Sequence, residues 1–280
     1  MSTTTTSSSE ADGGESAGPE TRAGDFAPVG VRPARDTWNI LIRELRPLVR
    51  DPFSLIFSLL QPLVFLGLYG PLLVTTSGRP AGETLAWFVP GILVMIALFA
   101  TAATGSNLLF EMQTGSHERT LVAPIARSSL IIGRSLKEMA PIIVQAAVIA
   151  IATVPFGFTV NVPGMLVGLI LLALFGMGFG ALSYALALAS HGRDWLFWGV
   201  QQAAIFPLMI LSGMLLPLES GPEWMRVVAS VNPVSYVVSA ERALFAGDLA
   251  STDVLWGFVA ALLLAVVGLA VGIRSVRRSK

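Results

Sequence analysis

Residues 111–138, EMQTGSHERTLVAPIARSSLIIGRSLKE, set seven charged side chains between two long apolar segments. Within the stretch Leu121, Val122 and Ile125 recur along one helical face, with Arg119 and Arg127 on either side. A helix that shows apolar residues between charges suits docking into a groove on a soluble partner. The same residues also fit a surface loop whose basic groups only set orientation. A second set of polar groups lies inside the apolar segments: Gln61, Asn107, Gln145, Ser183, Gln201 and Gln202. Such side chains either bond helix to helix or touch an amphipathic substrate, and the sequence permits both.

Covalent and metal chemistry have little to work with. Cysteine is absent and the two histidines, His117 and His191, are far apart, so neither a thiolate site nor a metal site is indicated. No full apolar segment carries an ionisable residue, which a membrane enzyme or an ion-coupled carrier would need. The phosphate-binding pattern G-x-x-x-x-G-K-[ST] does not occur, so the chain is not expected to bind ATP through that fold. No catalytic residue, metal ligand or cofactor on this chain is therefore nominated.

The elements that must position these groups follow from composition. With 54% hydrophobic and only 13% charged residues, the chain is poorly suited to a water-soluble fold, and lipid is the expected solvent. A net charge of zero gives no argument for nucleic acid. Charge-free segments cover 52–78, 84–110, 139–192, 195–218 and 254–273. Because about 20 helical residues cross a bilayer core, the segment 139–192 must hold two spans, which makes six. The break is expected over 156–164, FGFTVNVPG, where Asn161, Pro163 and Gly164 supply a turn. The expected fold is an all-α integral membrane protein, with a six-helix transmembrane bundle over 52–273.

With both termini on one side, the far side receives only Arg79, Arg226 and Arg242 of the 18 Lys and Arg residues. The positive-inside rule then puts both termini, 111–138 and the basic tail 274–280 in the cytoplasm, and 219–253 outside. Trp87, Trp195, Trp198 and Trp256 lie near span ends, as an aromatic belt would place them. Residues 1–30 are rich in Ser, Thr, Gly and acid and read as a disordered cytoplasmic tail. They lack the basic start and apolar core of a secretory signal, so the first span is expected to direct insertion. Over 31–51, Trp38, Leu41, Ile42 and Leu45 share a helical face, which predicts an amphipathic interfacial helix, with Pro47 as an internal break. In the outer segment, Asn232 and Pro233 open a helix with an apolar stripe of Val234, Val237, Val238 and Leu244, and Gly247 ends it. A shorter helix is expected just upstream, in GPEWMRVVAS.

Two motifs carry a resemblance. Glu111, Gly115, Glu118, Leu121, Pro124 and Arg127, followed by a helix around Gly133, resemble the cytoplasmic signature of type-2 ATP-binding-cassette (ABC) transporter permeases of the drug-resistance and daunorubicin-exporter kind. NPVSYVVSAERALFAGD, residues 232–248, resembles that family's segment before the last span, with Asn232, Pro233, Tyr236, Glu241 and Arg242. Met112 and Gln113 depart from it, since further charges often follow the first acid there. The resemblance covers about 35–280. It implies a permease in the cell's inner (plasma) membrane that pairs with a second permease and with two ATPase subunits holding ATP and Mg. It further implies that Glu111, Gly115, Glu118, Arg119, Leu121, Pro124 and Arg127 form a coupling helix against the ATPase. The helices before the last span would be outer re-entrant helices forming an extracellular gate, for which an interfacial cap over the bundle is the alternative. Gln61, Gln145, Gln201 and Gln202 are candidates for a substrate path serving multidrug efflux or antibiotic resistance. Two other readings compete: an ion-coupled efflux carrier, and a membrane assembly protein that moves nothing.

Overall fold

The structure, a computed structural model, describes residues 52–114, 137, 139–218 and 221–278. The tail 1–30, the interfacial helix expected over 31–51, and Gly115, Glu118, Arg119, Leu121, Pro124 and Arg127 of the coupling stretch lie outside the described residues.

Among the described residues there are eight α-helices and no strand. They are α1 (Pro52–Ser77), α2 (Ala81–Gln113), α3 (Met139–Thr153), α4 (Val162–Ala189), α5 (Asp194–Ile210), α6 (Glu223–Ala229), α7 (Pro233–Phe245) and α8 (Thr252–Arg278). The run Phe88 to Leu98 of α2 is buried at every position, so this helix is enclosed on all sides and forms the centre of the bundle. Against it pack α4 and α7, while α8 lies along α4 and α7. Leu255, Leu262, Leu263 and Val266 of α8, like Leu68 and Leu72 of α1, are exposed. An apolar surface of that extent is rare on a water-soluble monomer and suits hydrocarbon as the solvent.

Among the described residues, four helices are long and apolar enough to cross a membrane: α1, α2, α4 and α8. The two others expected as spans are shorter. α3 stops at Thr153 and passes into a 3-10 turn, Val154–Phe156, that contains Pro155, and α5 stops at Ile210. Beyond α5, residues 211–216 turn, with Gly213 at a φ of 72°, so the helix in the segment expected to cross over 195–218 is only the 17 residues Asp194–Ile210. The break between α3 and α4 falls where local chemistry predicts it. Asn161 caps α4 by accepting a 3.1 Å bond from the Gly164 amide, with Pro163 in the first turn.

The glycine spacing of α4 and α8 is used within the chain. A Cβ at Gly268 would stand 2.1 Å from the Gly178 carbonyl oxygen, and one at Gly178 would stand 2.5 Å from the Leu264 carbonyl carbon. The backbones therefore touch at Gly178. Gly268→Leu cannot be absorbed by side-chain movement, since what it meets is backbone. We expect a loss of stability at or above the about 1–3 kcal/mol typical of overpacking, read as a lower thermal midpoint in detergent.

Candidate functional site

Three helices enclose a partly open cavity of about 530 Å³, and each supplies one stripe at helical spacing. α1 contributes Gln61 and Phe65, α2 contributes Phe99, Ala102, Ala103 and Ser106, and α5 contributes Trp198, Gln201, Gln202, Ile205, Phe206 and Met209. No charged side chain lines it. Its size falls in the range that holds a drug-sized molecule, and aromatic faces with a few amide groups are the usual composition of such sites. Three of the four glutamines nominated from sequence, Gln61, Gln201 and Gln202, thus meet in one place. Gln145 is buried on α3 and is not part of the lining.

Trp198 was expected in the aromatic belt, but it lines the cavity. Its spacing to Gln201, Gln202, Ile205 and Met209 on one helical face is the signal that could have placed it there. Beside the cavity, Ser183 of α4 ties three helices. Its Oγ donates to the Ala102 carbonyl at 2.7 Å, accepts from the Gly105 amide at 3.2 Å, and lies 2.9 Å from Oε1 of Gln201. A Cβ at Gly105 would come within 2.5 Å of the Ser183 oxygens and 2.7 Å of the Phe197 ring, so only glycine lets α2, α4 and α5 cross this closely.

At its C-terminal end α5 is fastened to α7 through the carbonyl groups that a helix end leaves unpaired. The Asn232 side chain accepts from the Val234 amide, capping α7, and donates from Nδ2 to the Leu208 carbonyl at 2.9 Å. Ser235 Oγ donates to the Leu211 carbonyl at 3.1 Å, and Tyr236 donates to the Ser230 carbonyl at 2.6 Å. Arg242 completes the joint. Its guanidinium lies 3.9 Å from the Trp87 ring centroid, Nε donates to the Trp87 carbonyl at 3.0 Å, and an Nη donates to the Gly213 carbonyl at 2.8 Å. Trp87 sits in the first turns of α2 and offers Arg242 both its ring face and its carbonyl. Trp87 therefore serves as a platform for this arginine, in a role that no local pattern around it indicates.

Glu241 and Arg242 read from sequence as an acid and arginine side by side, yet successive helix residues do not face each other. The Glu241 carboxyl is fully buried against α4, where a Cβ at Gly168 would stand 2.4 Å from Oε2. Neither carboxyl oxygen has a hydrogen-bond partner among the described residues. Burial pushes this group, on a helix outside the candidate spans, up to about 8. At neutral pH it is held mainly as the uncharged acid.

At the opposite end of α5, Gln113 Nε2 donates to Asp194 Oδ2. This links the end of α2, where Glu111 lies and the stretch 111–138 begins, to the first turn of α5. α5 is thus held at one end beside that stretch and at the other by α7, with the cavity between.

Comparison with known proteins bears on this arrangement. The sequence profile described as ABC-2 type transporter matches residues 35–246. The chain belongs to this family. Among its relatives is the daunorubicin resistance ABC transporter permease protein DrrB1 of Streptomyces coeruleorubidus, 26% identical over 232 residues that cover 80% of this chain and 82% of that protein. The transport permease ycf38 of Cyanophora paradoxa is 30% identical over 218 residues, 74% of this chain and 73% of that one. The multidrug ABC transporter permease YbhR of Escherichia coli (strain K12) is 24% identical over 176 residues, 61% of this chain and 46% of that one. This ABC-2 chain is accordingly a membrane permease of the ABC transporter kind, as the motifs at 111–138 and 232–248 imply.

Proposed function

We propose that this chain is the membrane-spanning subunit of an ATP-driven exporter that moves a hydrophobic or amphipathic compound, a drug, natural product or lipid, out of the cell. The observation that carries the reading is the uncharged, aromatic-lined cavity between α1, α2 and α5 in an ABC-2 family chain. Such a hollow favours an apolar body and offers nothing to hold a long hydrophilic polymer. The working unit is two permeases with two ATPase subunits in the plasma membrane, both termini and 111–138 facing the cytoplasm and α6 and α7 facing outward. ATP and Mg belong to the ATPase, which docks on Glu111, Gly115, Glu118, Arg119, Leu121, Pro124 and Arg127. Its closure displaces this stretch. The Gln113 to Asp194 bond passes the displacement to α5, and Asn232, Ser235 and Arg242 pass it on to α7, which acts as the outer gate with Pro233, Tyr236 and Glu241.

One observation favours an ion-coupled carrier instead: the buried, unpartnered carboxyl of Glu241. Reconstitution separates the two. Vesicles holding the permease with its ATPase are expected to move a lipophilic dye only with ATP, and to keep doing so when an uncoupler removes the proton gradient. Transport by the permease alone that stops with the uncoupler would establish the carrier. ATP hydrolysis by the rigorously purified permease would also contradict the assignment.

A further inference from the structure

The hydrogen bonds around Ser183 determine which way the Gln201 amide faces. Two oxygens lie within 3 Å of Ser183 Oγ: the Ala102 carbonyl at 2.7 Å and Oε1 of Gln201 at 2.9 Å. A hydroxyl has one proton and two lone pairs. The Ala102 carbonyl can only accept, so the proton of Ser183 belongs to that shorter contact. One lone pair takes the Gly105 amide at 3.2 Å. With Oε1 toward Ser183, the remaining contact would set two lone pairs against each other at 2.9 Å in a buried position. Rotating the amide by half a turn removes the conflict, because the two terminal atoms of a glutamine occupy interchangeable positions whose assignment follows from the surrounding bonds. Gln201 then donates to Ser183, and Ser183 is fully satisfied, giving one bond and accepting two.

The consequence lies on the other side of the amide. Gln201 lines the cavity, and with its amide nitrogen committed to Ser183 its carbonyl oxygen is the polar atom left to meet an occupant. Nearby Ser106 spends its hydroxyl proton on the Ala103 carbonyl of its own helix, which leaves its oxygen, too, as an acceptor. We infer that Gln201, oriented by Ser183, presents a fixed hydrogen-bond acceptor to the cavity and selects occupants that carry a hydroxyl or amine donor on an apolar body. This deepens, and rests on, the reading of the cavity as the place where cargo sits.

The test compares 1-pyrenemethanol with its methyl ether, which keeps the ring and the ether oxygen but has no donor. Binding to the full chain in lipid nanodiscs is read from quenching of tryptophan fluorescence, with Trp198→Phe identifying the part of the signal that comes from the cavity. The parent is expected to bind the alcohol about three- to tenfold more tightly than the ether, the worth of one ordinary hydrogen bond. Gln201→Met, of similar length and without an acceptor, should bring the two affinities together while the ether binds as before. Ser183→Ala should weaken the preference by freeing the amide to turn, and Ser183→Thr, which keeps the hydroxyl, should retain it. Equal binding of both probes by the parent, or a preference that survives Gln201→Met, would overturn the inference and leave the cavity as a binding site. Failure of both probes to bind would remove the cavity as a ligand site and the inference with it.

Discussion

Arg242→Met is expected to cut export by well over tenfold in a chain that still inserts and accumulates normally. The side chain holds three elements at once: the α2 turn at Trp87, the Gly213 turn after α5, and its own helix α7. Hydrogen bonds from a charged group contribute roughly 1.5–3 kcal/mol each, and stacking of a cation on an aromatic face adds about 0.5–2 kcal/mol. Methionine fills a similar volume and makes none of these bonds, so α7 loses its hold on both neighbours. Because α7 also packs into the core through Val234, Val237, Val238 and Leu244, the bundle keeps its fold and the loss falls on the joint with Trp87 and the Gly213 turn. Arg242→Lys should recover little, since a single ammonium cannot reach two carbonyls and lie flat on Trp87 together. Dye export by reconstituted vesicles, normalised to protein abundance, gives the measurement. Trp87→Leu should reproduce part of the defect. If Arg242→Met exports like the parent, the joint does not act as a gate.

Charge reversal at the cytoplasmic stretch should have a comparable effect by a different route. Glu118→Lys places repulsion where the ATPase contact is proposed, and Leu121→Asp puts an unpaired charge into the apolar face proposed to dock there. Losing a charge-assisted bond at a desolvated contact costs about 1.5–3 kcal/mol, which weakens coupling tenfold or more. Both residues fall outside the apolar segments of the sequence, so both variants should reach the membrane in normal amount. The ATPase subunit should keep its basal hydrolysis, while the component stimulated by transported compound falls. Unchanged export at equal abundance would reduce the stretch to a loop. Gln113→Ala, which removes the tie to Asp194, is expected to lower the stimulated component less severely, as one side-chain bond at an exposed site is lost.

Where structure depends on neighbours a few residues apart, the sequence is explicit. Asn161 with Pro163, and Asn232 with Pro233, mark the starts of α4 and α7, because a capping side chain reaches only the amides two or three residues ahead. Gly247, at a φ of 90°, follows the last turn of α7 as a helix stop should. The apolar runs likewise declare a helical membrane protein, since every backbone group in hydrocarbon must be paired within its own segment. Length proved less transferable: the helix that enters the charge-free run 195–218 stops at Ile210, because absence of charge does not keep a chain helical.

What tertiary structure alone decided is which side chains meet. Composition admits the glutamines as helix glue or substrate contacts, and the rotation of α1 and α5 about their axes brings Gln61, Gln201 and Gln202 to one hollow while leaving Gln145 elsewhere. Trp87 and Arg242 are 155 residues apart, and the guanidinium reaches the Trp87 ring and carbonyl only once α7 has packed on α2. Gly168 looks like any other small residue in an apolar helix until the Glu241 carboxyl is laid against it. Helix periodicity defines faces, but the partner of each face depends on crossing angle and rotation, and these are settled by the summed packing of the whole bundle, with no contribution from any local motif.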